Sequence, residues 1–325
     1  MDLGYQLSSE EMAPTEMVRR ALEAEVAGFE RLTISDHFHP WVDRQGQSPF
    51  VWSVVGAIAA VTDRMKVGTA VTCPTMRMHP AIIAQAAATS AAMLPGRFFL
   101  GVGSGEALNE HILGDRWPQT DVRLEMLEEA VEVIRLLLQG GDRSHHGKHY
   151  TVENARLYTL PEQPVPIMVS AFGPKAARLA GRIGDGYVGT APEAELLETF
   201  DRAGGAGKPK IGGMKCCWGT DKEAAEKLAF ELWPTTGLSG ELSQVLPTPA
   251  HFEQACTTLR QEDVTGTIPC GPDVGPYLDS LRQYRDAGYT ELYIQQIGPD
   301  QEGFFRFYER ELQPAFAQSS VPVGR

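Results

Sequence analysis

A chain of 325 residues with 42% hydrophobic and 22% charged side chains can bury a sizeable core, which excludes disordered, collagen-like and coiled-coil classes. Its 29 basic against 42 acidic residues give a formal charge of -13, so repulsion disfavours nucleic acid and anionic membrane surfaces as partners. An anionic ligand would have to be met by cations gathered locally.

The first residues, MDLGYQLSSEEM, lack a basic segment followed by an apolar run, and no stretch approaches the roughly 20 apolar residues of a membrane span. The expectation is a cytoplasmic protein. Five cysteines at 73, 216, 217, 256 and 270 show no C-x-x-C spacing and are expected to be reduced thiols.

Short β-rich runs alternate with longer helical ones along the chain. Residues 3–6 read as a strand, 15–28 as a helix behind Pro14, and 32–35 as the second strand. The loop DHFHPW follows, then a helix over 51–62, a strand over 65–72, an alanine-rich helix over 79–93 and a strand over 97–102. A Gly-rich turn leads into a long amphipathic helix over 121–138, and 145–160 reads as a hairpin excursion. Strands over 166–170, 186–190 and 210–217 are interleaved with helices over 173–181, 193–202 and 221–232. A helix over 272–287, a strand over 291–296 and a helix over 302–312 close the chain, leaving 233–271 as an insertion before the last unit. Eight β-then-α units predict an α/β fold, a single (β/α)8 TIM barrel over 1–325, with an open doubly wound sheet as the competing arrangement.

In such a barrel the reactive groups lie just after the strands. After strand two stands Asp36-His37-Phe38-His39-Pro40-Trp41, in which an extended backbone turns His37 and His39 one way and Asp36 and Phe38 the other. Two histidines at this spacing also suit a hydrolase metal site, but the further ligands such a site needs are missing from later strand ends. After strand four, Gly101-Val102-Gly103-Ser104-Gly105-Glu106 superficially matches a dinucleotide fingerprint, yet Glu106 replaces the third glycine and would repel a pyrophosphate. Glu106 reads better as a proton-transfer group at the barrel mouth, the alternative being a helix-terminal charge. After strand five, Ser170 to Lys175 offers backbone N–H groups at a helix start, with Lys175, Arg178 and Arg182 as a local cationic cluster suited to a phosphate.

The stretches SDHFHPW, GTAVTCPT, LGVGSGEALNE and AGRIGDGYV together resemble the luciferase-like barrel superfamily. Within it they are most similar to the branch using the deazaflavin coenzyme F420, the F420-dependent glucose-6-phosphate dehydrogenases and their relatives. The resemblance runs from residue 3 to about 312. It implies that His37 is the base taking a hydroxyl proton, that Glu106 is the acid serving the reduced ring, and that Trp41 steadies the ring. It implies cofactor contacts at Asp36, Gly105, Asn109, Ala171 and Gly173, and a bulge at Ala70, Val71, Thr72 and Cys73, often with a non-proline cis peptide, supporting the ring from behind. Lys175, Arg178 and Arg182 are the candidates for the anionic tail. Relatives of this barrel are commonly homodimers. The chemistry is consistent: imidazole has an ordinary pKa of about 6.5, and a carboxylic acid kept protonated by an apolar site would complete the proton accounting.

The chain departs from the sugar-phosphate enzymes where those hold phosphate. The corresponding positions fall near Pro192 or Glu193, Ser243, and Gly266 or Thr267, none of them basic. Residues 228–281 contain one cation, Arg260, against seven carboxylates, and a phosphate without cationic partners is strongly disfavoured. Leu232, Trp233, Pro234, Leu238, Leu242, Val245 and Leu246 in the insertion could line an apolar pocket or simply pack on the barrel. The expectation is hydride transfer between F420 and a less charged small molecule such as an alcohol, ketone or enone. An F420-dependent glucose-6-phosphate dehydrogenase, an FMN-dependent monooxygenase, a metal-dependent hydrolase and a non-catalytic cofactor carrier remain as alternatives.

Overall fold

The computed structural model describes residues 1–319. Eight strands form a closed parallel barrel: β1 (Asp2–Leu7), β2 (Arg31–Ile34), β3 (Lys66–Thr69), β4 (Phe98–Val102), then β7 (Ile167–Ser170), β8 (Gly186–Gly189), β9 (Lys210–Cys216) and β10 (Glu291–Gln296). Between β4 and β7, β5 (Arg143–His146) and β6 (Thr151–Ala155) make a separate antiparallel hairpin, set slightly earlier than the run expected from sequence. Closure decides between barrel and open sheet, because β1 pairs in parallel with β10 (Asp2 opposite Glu291 through Tyr5 opposite Ile294) as well as with β2.

Helices cover the outside: α1 (Pro14–Val26), α2 (Val51–Val61), α3 (Pro80–Met93), α4 (Ala107–Glu110), α5 (Thr120–Leu138), α6 (Pro174–Ile183) and α7 (Ala194–Phe200). They are followed by α8 (Lys222–Leu232), the short α9 (Leu242–Val245), α10 (Pro249–Cys256) and α11 (Gln261–Thr265) of the insertion, then α12 (Val274–Ala287), α13 (Gln301–Phe307) and α14 (Gln313–Ser319). Local sequence sets many ends. Pro stands in the first turn of α1, α3 and α6, where its missing N–H costs nothing. Asp221 and Asp273 cap α8 and α12 through their carboxylates, and Gly288 ends α12 at φ 106°. None of the helices among the described residues is long and apolar enough to cross a membrane.

The main core lies between strands and helices, while a small second cluster of Phe99, Met168, Val188, Ile211 and Tyr293, with Val71, fills the barrel. Gly68 makes room for it, since a Cβ there would stand 2.2 Å from the Phe99 ring. All five cysteines are buried free thiols.

Two further elements differ from the expectation. Strand three ends at Thr69 instead of continuing to Thr72, because the Ala70–Val71 peptide is cis and breaks the ladder, which resumes as an isolated pairing of Thr72 with Val102. The Gly-rich turn after β4 also holds α4, a single helical turn too short to show a periodicity.

Candidate active site

At the C-terminal mouth of the barrel the strand ends enclose a cavity of about 130 Å³. Its lining brings together His37, Trp41, Ala70, Val71 and Glu106 with Gln6, Glu10, Lys215, Trp233 and Gln295. The three sequence segments singled out for chemistry thus converge, with Ser170 and Phe172 representing the third.

The loop after β2 is clamped by α4. Asn109 Oδ1 accepts from the backbone N–H of Phe38 (2.9 Å) and of His39 (3.1 Å), and His39 Nδ1 lies 2.8 Å from the Leu108 carbonyl. His39 therefore turns away from the cavity, towards the ring of His111, and the two histidines do not converge on one ion. His37 stays in the cavity, with its Nδ1 3.4 Å from Glu10 Oε1 and its ring 5.1 Å from that of Trp41. Glu10 is held in turn by the hydroxyls of Ser8 (2.8 Å) and Ser35 (2.9 Å), both donating to Oε2. Trp41 meets Phe252 of α10 edge-on at 5.1 Å, so the insertion fixes the indole from outside.

Asp36 is buried and does not line the cavity. Its Oδ2 accepts from Thr72 Oγ1 (2.7 Å) and its Oδ1 from Arg77 Nη2 (2.9 Å). Arg77 also reaches Glu110, through Nε at 3.5 Å and its backbone N–H at 2.8 Å. Burial, assisted by the charges of Glu106 and Asp36, pushes Glu110 up to about 7 against the opposing effect of Arg77. This polar layer backs the cis Ala70–Val71 segment. Cys73 belongs to it, its Sγ 3.0 Å from Thr75 Oγ1, and burial raises its thiol well above the ordinary value. Gly105 is required beside it: φ is +77°, and a Cβ would stand 2.5 Å from Cys73 Sγ.

Glu106 precedes α4 without a side-chain capping bond and lines the cavity. Ala171 is buried, its carbonyl accepting from the Tyr187 hydroxyl at 2.8 Å, and Gly173 stands at the start of α6. The expected cationic cluster is dispersed: Lys175 is exposed and pairs with Asp121 at 2.7 Å, while Arg182 pairs with Glu128 further down the outer face of α6. Helical spacing carries Arg178 and Arg182 away from the mouth, while Lys175 stays in the first turn.

Of the insertion's apolar residues, only Trp233 lines the cavity. Leu238 and Leu246 pack against Val42, Leu108 and Phe252, Leu232 packs in the cluster under α8, and Leu242 and Val245 are exposed. The insertion is tied down by Arg123 Nη2 donating to Gln244 Oε1 (2.7 Å), and the end of α8 that leads into it by Gln45 Nε2 donating to the Leu232 carbonyl (2.9 Å). Residues 192–193, 243 and 266–267, the positions expected from sequence to face a sugar phosphate, do not line the cavity.

Sequence reasoning passed over Glu10, Glu11, Lys215, Gln295, Arg77 and Glu110. Glu10 follows β1, and Lys215 continues the inward register of Ile211 and Gly213 near the end of β9, so the strand-end rule could have found both. Glu11 Oε1 accepts from Trp233 Nε1 (2.6 Å) and its Oε2 from the Gly298 N–H (2.8 Å), yet burial still raises its pKa.

The luciferase-like monooxygenase family model matches residues 1–291. The chain belongs to the luciferase-like family. It is 37% identical over 326 residues to an F420-dependent glucose-6-phosphate dehydrogenase of Segniliparus rotundus, covering 96% of this chain and 97% of the relative. A protein of the same name from Microbacterium testaceum is 36% identical, with 96% of each chain covered. Among solved structures, an F420-dependent secondary alcohol dehydrogenase in complex with an F420-acetone adduct superimposes with a TM-score of 0.88 at 29% identity, over 97% of this chain and 98% of that one.

Proposed function

We propose that this luciferase-like protein is an F420-dependent oxidoreductase that moves a hydride between the deazaflavin and a small uncharged alcohol or its carbonyl product, and not a sugar phosphate. The observation that carries the reading is the convergence of His37, Trp41 and Glu106 with the cis Ala70–Val71 segment on one cavity. The names of the relatives and of the solved neighbour support the cofactor.

The residues present fit such a group. Thr33 and His37 line the cavity, the buried Thr33 Oγ1 has no hydrogen-bond partner, and a Cβ built on Gly213 would meet nothing nearer than 3.4 Å. When bound, F420 supplies hydride acceptance and return at its ring. Ala70 and Val71 would form the wall behind a flat ring, and Lys175 at the first turn of α6 is the residue we assign to the anionic tail. Nδ1 of His37 faces Glu10, which leaves Nε2 to take the proton from a substrate hydroxyl, and the Glu10 carboxylate stabilises the imidazolium that results. Glu106 is assigned the second proton, and Trp41 packs beside the reacting centre. Asp36, Cys73, Asn109, Gly105, Ala171 and Gly173 act by holding these walls in place.

The restriction to uncharged substrates follows from the acidic surroundings of Lys215 and from the non-basic residues near 192–193, 243 and 266–267. We further propose that residues 1–325 act as one domain and pair with a second copy, since α2 and α3 contain no charged residue and leave Ile82 and Met93 exposed. Titration of purified protein with F420 and with FMN, followed by deazaflavin reduction assays with alcohols and glucose 6-phosphate, tests the reading. F420 binding with alcohol oxidation is expected. Tight FMN binding with oxygen consumption, or robust turnover of glucose 6-phosphate, overturns it.

A further inference from the structure

Lys215 lies on the inward register of β9 with Ile211 and Gly213, and its Nζ stands 4.4 Å from the centroid of the Trp233 ring. Among the described residues lining the cavity it is the one lysine or arginine. Its ammonium carries three N–H donors, yet it makes no hydrogen bond or ion pair among the described residues. An indole face attracts a cation but accepts none of its N–H groups along a lone pair, so the donors remain available to whatever enters the cavity.

The nearby carboxylates have other work. Glu10 accepts from Ser8 and Ser35 and stands 3.4 Å from His37 Nδ1, and Glu11 accepts from Trp233, Gly298 and, at 3.4 Å, Gln295. Gln295 is the register partner of Lys215 on β10, and its Oε1 accepts from Gln6 Nε2 at 3.3 Å. Lys215, Gln295 and Gln6 therefore form a polar wall on the same cavity as His37. The negative charges of Glu10 and Glu11 already offset the lysine, so a ligand bringing a full negative charge gains little from it. An uncharged hydroxyl or carbonyl oxygen accepts the hydrogen bond without adding charge.

Resting on the F420-dependent reading above, we propose that Lys215 is a specificity-determining residue that donates a hydrogen bond to a second, uncharged oxygen of the substrate, making neutral vicinal diols the preferred class. Oxidation of such a diol removes a hydride from the carbinol carbon, taken up by oxidised F420, and a proton from its hydroxyl, taken up by His37. The product is a hydroxyketone whose second hydroxyl is unchanged and remains on Lys215.

The test compares trans-cyclohexane-1,2-diol with cyclohexanol, which differ by that second hydroxyl, in the wild type, Lys215→Met and Lys215→Gln. F420 affinity of each protein is measured by fluorescence titration. Hydrogen bonds from charged groups lead us to expect a diol preference in kcat/KM of about tenfold or more in the wild type, carried by KM. The ratio should fall to about one in Lys215→Met and to an intermediate value in Lys215→Gln, which retains a donor and serves if the methionine variant does not fold. Quenching of tryptophan fluorescence by the diol in the protein without F420 should show a midpoint about tenfold higher in the variants lacking the ammonium. An unchanged ratio in both variants, no diol preference in the wild type, or a loss confined to kcat overturns the proposal while leaving the cofactor reading intact. Absence of F420 binding overturns the cofactor reading, and the quenching midpoints then decide the role of Lys215 separately.

Discussion

On the side of the cavity built from the ends of β2, β3 and β4, the functional side chains rest on a buried polar layer, whereas on the side built from β9 and β10 Lys215 faces the cavity with an aromatic ring beneath it. The first side carries the segments in which the chain resembles F420-dependent enzymes. The second lies beside the insertion, where the chain departs from the sugar-phosphate enzymes. A fixed wall suits the part of the reaction that does not vary, because hydride transfer tolerates little misplacement. A wall with unspent donors suits discrimination between substrates.

The largest effect expected from breaking the fixed side is chemical. Replacing His37 with alanine should lower kcat by roughly 10²- to 10⁴-fold, the usual share of a positioned base, while the F420 titration midpoint changes little. Retention of wild-type kcat would remove His37 from the mechanism.

Next comes the polar layer behind that wall. Arg77→Met leaves Asp36 and Glu110, both with side chains 1% exposed, without their cation, and should destabilise the fold by about 3–5 kcal/mol in urea unfolding. A loss below about 1 kcal/mol would show that the layer is dispensable.

A smaller effect sharpens the same point through pH. Glu110 titrates near 7 in the fold against an ordinary value of 4.5, so the folded protein holds this proton more tightly than the unfolded chain. The stabilising contribution is complete below about 4.5 and is lost as pH rises through about 7. Glu110→Gln, which imitates the protonated acid, should flatten the decline in Tm over that window relative to the wild type. Parallel Tm profiles for the two proteins would count against it.

The smallest effect belongs to the exposed rim. Lys175→Ala removes an exposed pair with Asp121 and should change stability by less than about 1 kcal/mol. Its expected signature is a few-fold rise in the F420 dissociation constant that disappears at high salt. No change at low salt would take the anionic tail away from this residue.

Much of the fold was legible in the sequence because alternation and helical spacing are local signals: all eight barrel strands were anticipated within a few residues, and Pro14 marked the start of α1. Half of the candidate site was legible for a similar reason. His37, Trp41 and Glu106 sit directly after strand ends, where a barrel must place its reactive groups. What failed were inferences about direction. His39 was paired with His37 by an extended-chain argument, but Asn109 and Leu108, some seventy residues later, turn it outward. Arg178 and Arg182 look clustered with Lys175 in sequence, while the axis of α6 leads them away from the mouth.

The sequence by itself determined the alternation of strands and helices, the strand-end segments that meet at the candidate site and the scarcity of cations in the insertion. Only the tertiary structure decided that Asp36 works from behind the wall, that Glu10 faces His37, and that Lys215 enters the cavity from β9. The reason is physical: period and composition act through neighbours in the chain, whereas each of these contacts joins strand ends far apart in sequence that closure of the barrel brings to one mouth.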